Sequence, residues 1–379
     1  MSSRRTHTKS RTGCLNCTPS IDGGGDTPSA RLPNLTPAPS GSSPDRTICF
    51  SHPSPSDQIA PFPPQELWTR DCELMHHYCT VTADSLSIRK DLTYVWAVAI
   101  PRLGYRDPFV MHGILAIAAA HKAYLVPASR RIYLQLADYH QTLGSEGYRR
   151  QLQNFDLSNW MPVFGFASVV VLHMLTLPMR MEHRILEEPI TNLIELAALL
   201  RGIRTTLEPV LGRIVKTEFA PVVHGTWVLD FDHDSEPFPS LENSALPTDT
   251  WDALRSLRAF QEASMQTDDL EHYTKAIGAL EISARLFAAA GLYTEAGAVS
   301  FWLYTVNDSV LLDFAAHKPH ALLLFAYFLV HNASLARCFW YMRGWAPQTM
   351  VKIEEGLAGQ PKFLEMLEWP KQRIAEAIV

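Results

Sequence analysis

The chain has 379 residues, of which 47% are hydrophobic, 10% aromatic and 19% charged, and its formal net charge at pH 7 is −6. This charge excludes a protein that binds polyanions over its whole surface, and the apolar content excludes a wholly disordered acidic chain. The length predicts two or three domains, or one large helical domain with a tail.

Charge and proline are unevenly distributed along the chain. Residues 1–65 hold 11 of the 26 prolines and a net charge of +2, whereas residues 66–379 carry 27 basic and 35 acidic residues, a net of −8. We predict a basic arm at 1–17, a disordered Pro/Ser/Gly-rich linker at 18–65 and a folded body at 66–379. The linker is expected to be disordered because its composition buries too little apolar surface to offset the entropy of ordering.

The basic arm carries four cationic side chains before a Cys-x-x-Cys pair. In chain order these residues are Arg4, Arg5, Lys9, Arg11, Cys14 and Cys17. Two thiolates at this spacing can bind one zinc ion, because the turn between them points both sulfurs inward. Cationic side chains beside them would neutralise nucleic-acid phosphates. We therefore predict DNA contacts for the four basic residues and zinc ligation for the two cysteines.

The body is predicted to be all-α. Helical periodicity starts at Pro64 and places Leu67, Leu74, Tyr78 and Val81 on one stripe. Further helices are predicted at about 107–125, 127–153, 158–179, 187–216, 249–265, 267–290, 293–317, 319–342, 344–358 and 361–378. Only the segment from Val222 to Phe231 resembles a strand.

Three apolar stretches, 109–126, 163–179 and 320–336, approach the length of a membrane span. Each is interrupted by polar residues such as His121, His173 and Asn332, so we interpret all three as buried core helices and expect no membrane span. The basic start lacks an apolar segment, so we expect no signal peptide. Six irregularly placed cysteines indicate an intracellular, reducing compartment.

Weaker candidate sites have simpler interpretations. Cys72 and His76 are one helical turn apart and could share a metal ion, but Cys72 and Cys79 are better explained as small apolar core residues. Four alternating carboxylates resemble the start of a calcium loop that lacks its glycine, and we prefer to interpret them as a solvated acidic loop. These residues are Asp230, Asp232, Asp234 and Glu236. A set of histidines is expected to be buried or half-buried and hydrogen-bonded between helices: His76, His77, His112, His121 and His140.

Aromatic residues are concentrated near the C-terminus. We expect most of them in the core at helical spacing, with a subset lining an apolar pocket for a flat hydrophobic ligand. The set is Phe301, Trp302, Tyr304, Phe325, Tyr327, Phe328, Phe339, Trp340, Tyr341 and Trp345.

The order S-R-T-G-C-L-N-C after a basic arm resembles the opening of the fungal zinc binuclear-cluster transcription factors. Three stretches of the body resemble the helical regulatory domain of that family, most closely its sterol-uptake-regulator branch: ELMHHYCTVTADSL, DPFVMHGILAIAAAHKAYL and HALLLFAYFLVHNASLARCFWYMRGWA. The resemblance covers residues 4–17 and about 66–375. It implies a sterol-sensing helical domain, self-association through that domain, and two zinc ions held by six cysteines beside a basic segment that enters the DNA major groove.

The chain departs from this family pattern after Cys17. The family has basic residues and a third cysteine about six positions later, whereas this chain continues Thr-Pro-Ser-Ile-Asp-Gly-Gly-Gly, and its next cysteine is Cys49. The zinc site is therefore incomplete and the recognition segment is missing. Two explanations stay open, namely a skipped or misread exon and a genuine variant deficient in DNA binding.

We predict a nuclear transcriptional regulator of the zinc-cluster type, which can shuttle from the cytoplasm and whose helical body senses a ligand or partner. The alternative is a DNA-binding-deficient module that binds a sterol or other lipid and acts through protein contacts. Zinc is the expected cofactor, and the expected partners are DNA, a sterol or lipid, and a second copy or an intact relative. The common hydrolase, nucleotide-binding and metalloprotease motifs are absent from the sequence, so we predict no catalytic residues. A helical enzyme of unknown chemistry is the third hypothesis.

Overall fold

The chain divides into two units, Met1–Pro55 and Ser56–Val379. A computed structural model of the protein describes residues 61–181, 184–229 and 238–378, all in the second unit. The predicted arm and all of the predicted linker before residue 61 lie outside the described residues.

The described residues form an all-α body, as predicted. The α-helices are α1 (Pro64–His77), α2 (Lys90–Tyr94), α3 (Ile100–Gly104), α4 (Pro108–Leu125), α5 (Arg130–Gln153), α6 (Trp160–Leu175), α7 (Leu177–Arg180), α8 (Pro189–Leu207), α9 (Leu211–Ile214), α10 (Ala220–Val223), α11 (Thr250–Ser264), α12 (Thr267–Ala290), α13 (Gly297–Thr305), α14 (Asp308–Ala315), α15 (Pro319–Ala336), α16 (Trp345–Gly356) and α17 (Pro361–Ile378). Wider π turns occur at Tyr78–Thr82 and Val95–Ala99, and 3₁₀ turns at Ala83–Ser85, Pro127–Ser129, Glu208–Val210, Gly291–Tyr293 and Trp340–Met342.

Many of these helices begin at a proline. Proline fits the first helical position because its fixed φ suits the helix and its missing N–H would have no partner there. The prolines in the first turns of the longer helices are Pro64, Pro108, Pro189, Pro319 and Pro361.

The structure differs from the sequence-based prediction of secondary structure at several places. The predicted helix 293–317 is divided into α13 and α14, because the side chain of Asn307 accepts a 2.8 Å hydrogen bond from the Ser309 amide and starts a new helix. Helical residues at Lys90–Gly104 were not predicted. The strand candidate is wrong where it is described, because the segment forms α10 and a turn with one isolated bridge between His224 and Val228.

The predicted stripe on α1 changes phase after Tyr78. Leu74 and Tyr78 are buried as predicted, but Val81 is 40% exposed and Thr82 is buried in its place. The π turn at Tyr78–Thr82 explains this, since it contains more residues per turn than an α-helix and moves the inward position from the third residue to the fourth.

Glycines allow α4, α5 and α6 to pack closely. A Cβ at Gly147 would lie 2.4 Å from the Cβ of Phe109, and a Cβ at Gly144 would lie 2.6 Å from the ring of Phe166. A side chain at either position would push these helices apart.

The most deeply buried helix is α15, in which every residue from Ala321 to Leu335 is buried. Two described helices, Asp269–Tyr293 and Pro319–Ala336, have the length and hydropathy of a membrane span, with 39% and 83% of their apolar windows buried in the protein. Core helices pass the same test, and the burial of 320–336 agrees with our interpretation of that stretch.

Candidate functional site

The predicted zinc and DNA-contacting residues lie outside the described residues. These are Arg4, Arg5, Lys9, Arg11, Cys14 and Cys17. The acidic loop with Asp230, Asp232, Asp234 and Glu236 falls in the gap at 230–237. These predictions therefore stay predictions.

The interpretation of Cys72 and Cys79 as core residues is wrong, because both side chains are exposed. The core stripe of α1 runs through Leu74 and Tyr78, which places Cys72 and His76 on the outer face. Over the described parts of the chain, no group of three or more His, Cys, Asp or Glu side chains is arranged to hold a metal ion.

Most of the predicted histidine set is buried or half-buried and partnered. The Nδ1 atoms of His112 and His140 are 3.0 Å apart, and His140 Nε2 lies 3.1 Å from an Asp71 carboxylate oxygen. His121 Nδ1 lies 3.1 Å from the Thr82 hydroxyl, and burial lowers the pKa of His121 to about 4. These contacts join α4 to α5, α1 to α5, and the π turn at Tyr78–Thr82 to α4. His76 is exposed and differs from the prediction.

The C-terminal aromatic residues are core, as expected, apart from the half-buried Tyr304. Trp302 is fully buried, stacks on Phe328 at 4.5 Å between ring centroids, and donates from Nε1 to the Ala276 carbonyl. Only Tyr341 of this set lines the apolar pocket described next.

An apolar pocket lies where α6, α8 and α13 meet the segments Leu86–Trp96 and Pro221–Trp227. We call it the central pocket, and its volume is about 110 Å³. Its walls are mostly aliphatic and aromatic, and they include Leu172, Leu200, Ile203, Trp96 and Trp227. A mostly apolar lining with a few polar groups is typical of small-molecule sites.

Two polar groups of the central pocket set its chemistry. The Nε1 of Trp227 is buried and has no hydrogen-bond partner among the described residues. A carboxylate oxygen of Glu295 accepts hydrogen bonds from the backbone amides of Ile88 and Arg89, at 2.8 and 2.7 Å. Burial raises the pKa of Glu295 above its usual value of 4.5, although the two amides oppose this. The pocket thus combines an unpaired donor with a carboxyl that binds protons more readily than usual.

Sequence patterns did not indicate the central pocket. Its lining comes from segments more than 200 residues apart, such as Leu86 and Glu295, and each segment is an ordinary apolar or loop stretch by itself. A carboxylate two residues before α13 and a tryptophan in a turn after α10 are local features without a motif. Only the folded arrangement brings them together.

No protein-family model matches this chain, and no curated protein matches it.

Proposed function

We propose that this protein is a transcriptional regulator of the zinc-cluster type whose helical body binds a small apolar molecule in the central pocket. The single observation that carries the ligand proposal is the buried Trp227 Nε1, which has no hydrogen-bond partner among the described residues and belongs to a side chain that lines a mostly apolar pocket. A buried donor without a partner is destabilising, so a ligand oxygen that accepts its hydrogen bond gains binding energy there. Residues 4–17 supply the transcriptional part of the proposal through their basic residues and cysteines.

The pocket size limits the ligand. An apolar cavity of about 150 Å³ accommodates benzene, and the central pocket has about 110 Å³. We therefore propose a ligand that inserts one ring or a short branched group and carries a hydroxyl or carbonyl oxygen. A sterol would enter with one end only, and the rest of its rings would lie outside the pocket.

Thermal unfolding of the full chain tests the ligand proposal. The panel contains cyclohexanol, cyclohexanone, 2-naphthol and a solubilised sterol, with cyclohexane as the control that lacks oxygen. We expect an oxygen-bearing compound to raise the midpoint by binding the native state. The Trp227→Phe variant should lose this rise, whereas Trp68→Phe, at a side chain 66% exposed, should keep it. Equal rises in all three proteins would contradict the assignment of the pocket.

The transcriptional proposal has a separate test. Zinc content is measured on the purified full chain, and binding to DNA fragments is measured at several salt concentrations, with and without zinc. A zinc-dependent, sequence-specific shift supports a nuclear DNA-binding regulator. Salt-sensitive binding without sequence preference, at less than two zinc ions per chain, favours the alternative, a module that acts through protein contacts with a second copy or an intact relative.

A further inference from the structure

A second cavity lies at the C-terminal end of α15, a helix that contributes no residue to the central pocket. It is open to solvent on one side and lined by the end of α15, the turn that leads to α16, the start of α16 and the end of α17, and its volume is about 770 Å³. We call it the α15 cavity. It shares no lining residue with the central pocket. Its volume falls within the range of about 300–1,000 Å³ that is typical of small-molecule sites.

The floor of the α15 cavity contains a buried amide. Asn332 is 4% exposed, it lines the cavity, and its Oδ1 has no hydrogen-bond partner among the described residues. Most other buried residues of α15 are apolar, although His331 and Ser334 lie beside Asn332. Rotation about the last side-chain bond presents either the oxygen or the NH₂ group to a ligand.

Two arginines line the same cavity. Arg337 donates from Nε to the Ala377 carbonyl at 2.9 Å, and Arg343 donates from Nε to the Ala336 carbonyl at 3.0 Å and from Nη1 to the Tyr124 hydroxyl at 2.6 Å. These bonds cap the ends of α17 and α15 and fix both guanidinium groups. A guanidinium carries more N–H donors than these bonds use, so both keep donors for a ligand.

The charge of the α15 cavity is positive. Among the described residues its lining includes Arg337 and Arg343 and no Asp or Glu, although residues 66–379 as a whole carry a net charge of −8. Neither arginine forms an ion pair with any carboxylate that the structure describes. The rest of the lining is apolar and made of small side chains and one methionine, including Ala333, Met342 and Pro347. An anion with an apolar body complements both features.

We propose that the α15 cavity binds a single-chain carboxylate. The carboxylate lies between Arg337 and Arg343, where paired guanidinium donors form charge-assisted hydrogen bonds. With its amide rotated so that the NH₂ group faces the cavity, Asn332 donates to the second carboxylate oxygen. The alkyl chain covers the alanine, methionine and proline side chains of the wall.

Calorimetric titration of the full chain with decanoate, below its micelle concentration, tests this proposal. Decanol has the same chain without the charge, and acetate has the charge without the chain. We expect decanoate to bind about tenfold more tightly than decanol, because charge-assisted hydrogen bonds are lost with the alcohol, and acetate to show no binding at the same concentrations. Equal affinities for decanoate and decanol would overturn the proposal.

Variants locate the binding site. Arg337→Gln and Arg343→Gln should each weaken decanoate binding about fivefold or more, whereas Arg255→Gln, at an exposed arginine of α11, should leave it unchanged. Asn332→Leu removes the buried amide without introducing a new polar group, so this variant should stay folded and bind decanoate more weakly. Trp227→Phe should have no effect on decanoate binding. Loss of decanoate binding in Trp227→Phe, or unchanged binding in both arginine variants, would overturn the proposal for the α15 cavity. Neither result would decide the proposal for the central pocket, which the thermal unfolding experiment tests separately.

Discussion

Glu295 joins two segments that are about two hundred residues apart in sequence, and its replacement tests the construction of the central pocket. Its carboxylate accepts from the amides of Ile88 and Arg89 at 2.8 and 2.7 Å, where the chain leaves a 3₁₀ turn and enters α2. In Glu295→Ala both amides lose their acceptor. In Glu295→Gln the amide oxygen still accepts from both.

The expected size of the effect follows from these bonds. A hydrogen bond to a charged group contributes about 1.5–3 kcal/mol, and partial exposure to water reduces the loss, so we expect Glu295→Ala to lower the free energy of unfolding by about 2–4 kcal/mol. Glu295→Gln keeps the geometry and removes a partly buried charge, so its change should stay within about 1 kcal/mol.

Urea unfolding of the full chain, followed by tryptophan fluorescence and by circular dichroism, measures both changes. Agreement between the two probes establishes that one transition is observed. Equal losses for the Ala and Gln variants, or no loss for either, would refute the role assigned to this carboxylate.

Three further predictions rest on named contacts. The pKa of Glu295 is raised in the folded protein, so its contribution to stability is present below pH 4.5 and is lost as pH rises through the pKa of the folded state. The free energy of unfolding of Glu295→Gln relative to wild type should therefore increase from pH 4.5 to 7. A difference that is constant over this range would contradict the prediction. Trp302→Ala should cost about 3–5 kcal/mol in urea unfolding, because the ring is fully buried and hydrogen-bonded, whereas Trp68→Ala should cost less than about 0.5 kcal/mol. Gly344→Ala should be more destabilising than Gly359→Ala, since both have positive φ but only a Cβ at Gly344 would lie 2.8 Å from the Pro178 Cβ; equal thermal shifts would refute the steric part.

The helices could be predicted from sequence because their signals are local. Proline starts, apolar periodicity and the absence of strand alternation indicated an all-α body and placed most long helices within a few residues. The errors arise from single side-chain contacts and single turns, which the spacing of apolar residues does not reveal. Asn307 starts a new helix with one side-chain hydrogen bond, and a single wide turn after Tyr78 exchanges Val81 for Thr82 in the core.

The candidate sites could be predicted only in part. The sequence led us to expect an apolar pocket lined by a subset of the aromatic residues near the C-terminus, whereas only Tyr341 of that set lines the central pocket. Trp227 and Glu295 have no sequence signal, because their role depends on which distant segments face them. Cys72 and Cys79 show the opposite error. Their residue type indicated the core, but the outer face of α1 and the π turn after it leave both side chains exposed.

The ligand-dependent shift of the unfolding midpoint, compared between wild type, Trp227→Phe and Trp68→Phe, tests the central claim most directly. We expect an oxygen-bearing cyclic compound to raise the midpoint of wild type and of Trp68→Phe and to leave the midpoint of Trp227→Phe unchanged. An identical rise in Trp227→Phe, or no rise with any compound at concentrations that saturate a weak site, would contradict it.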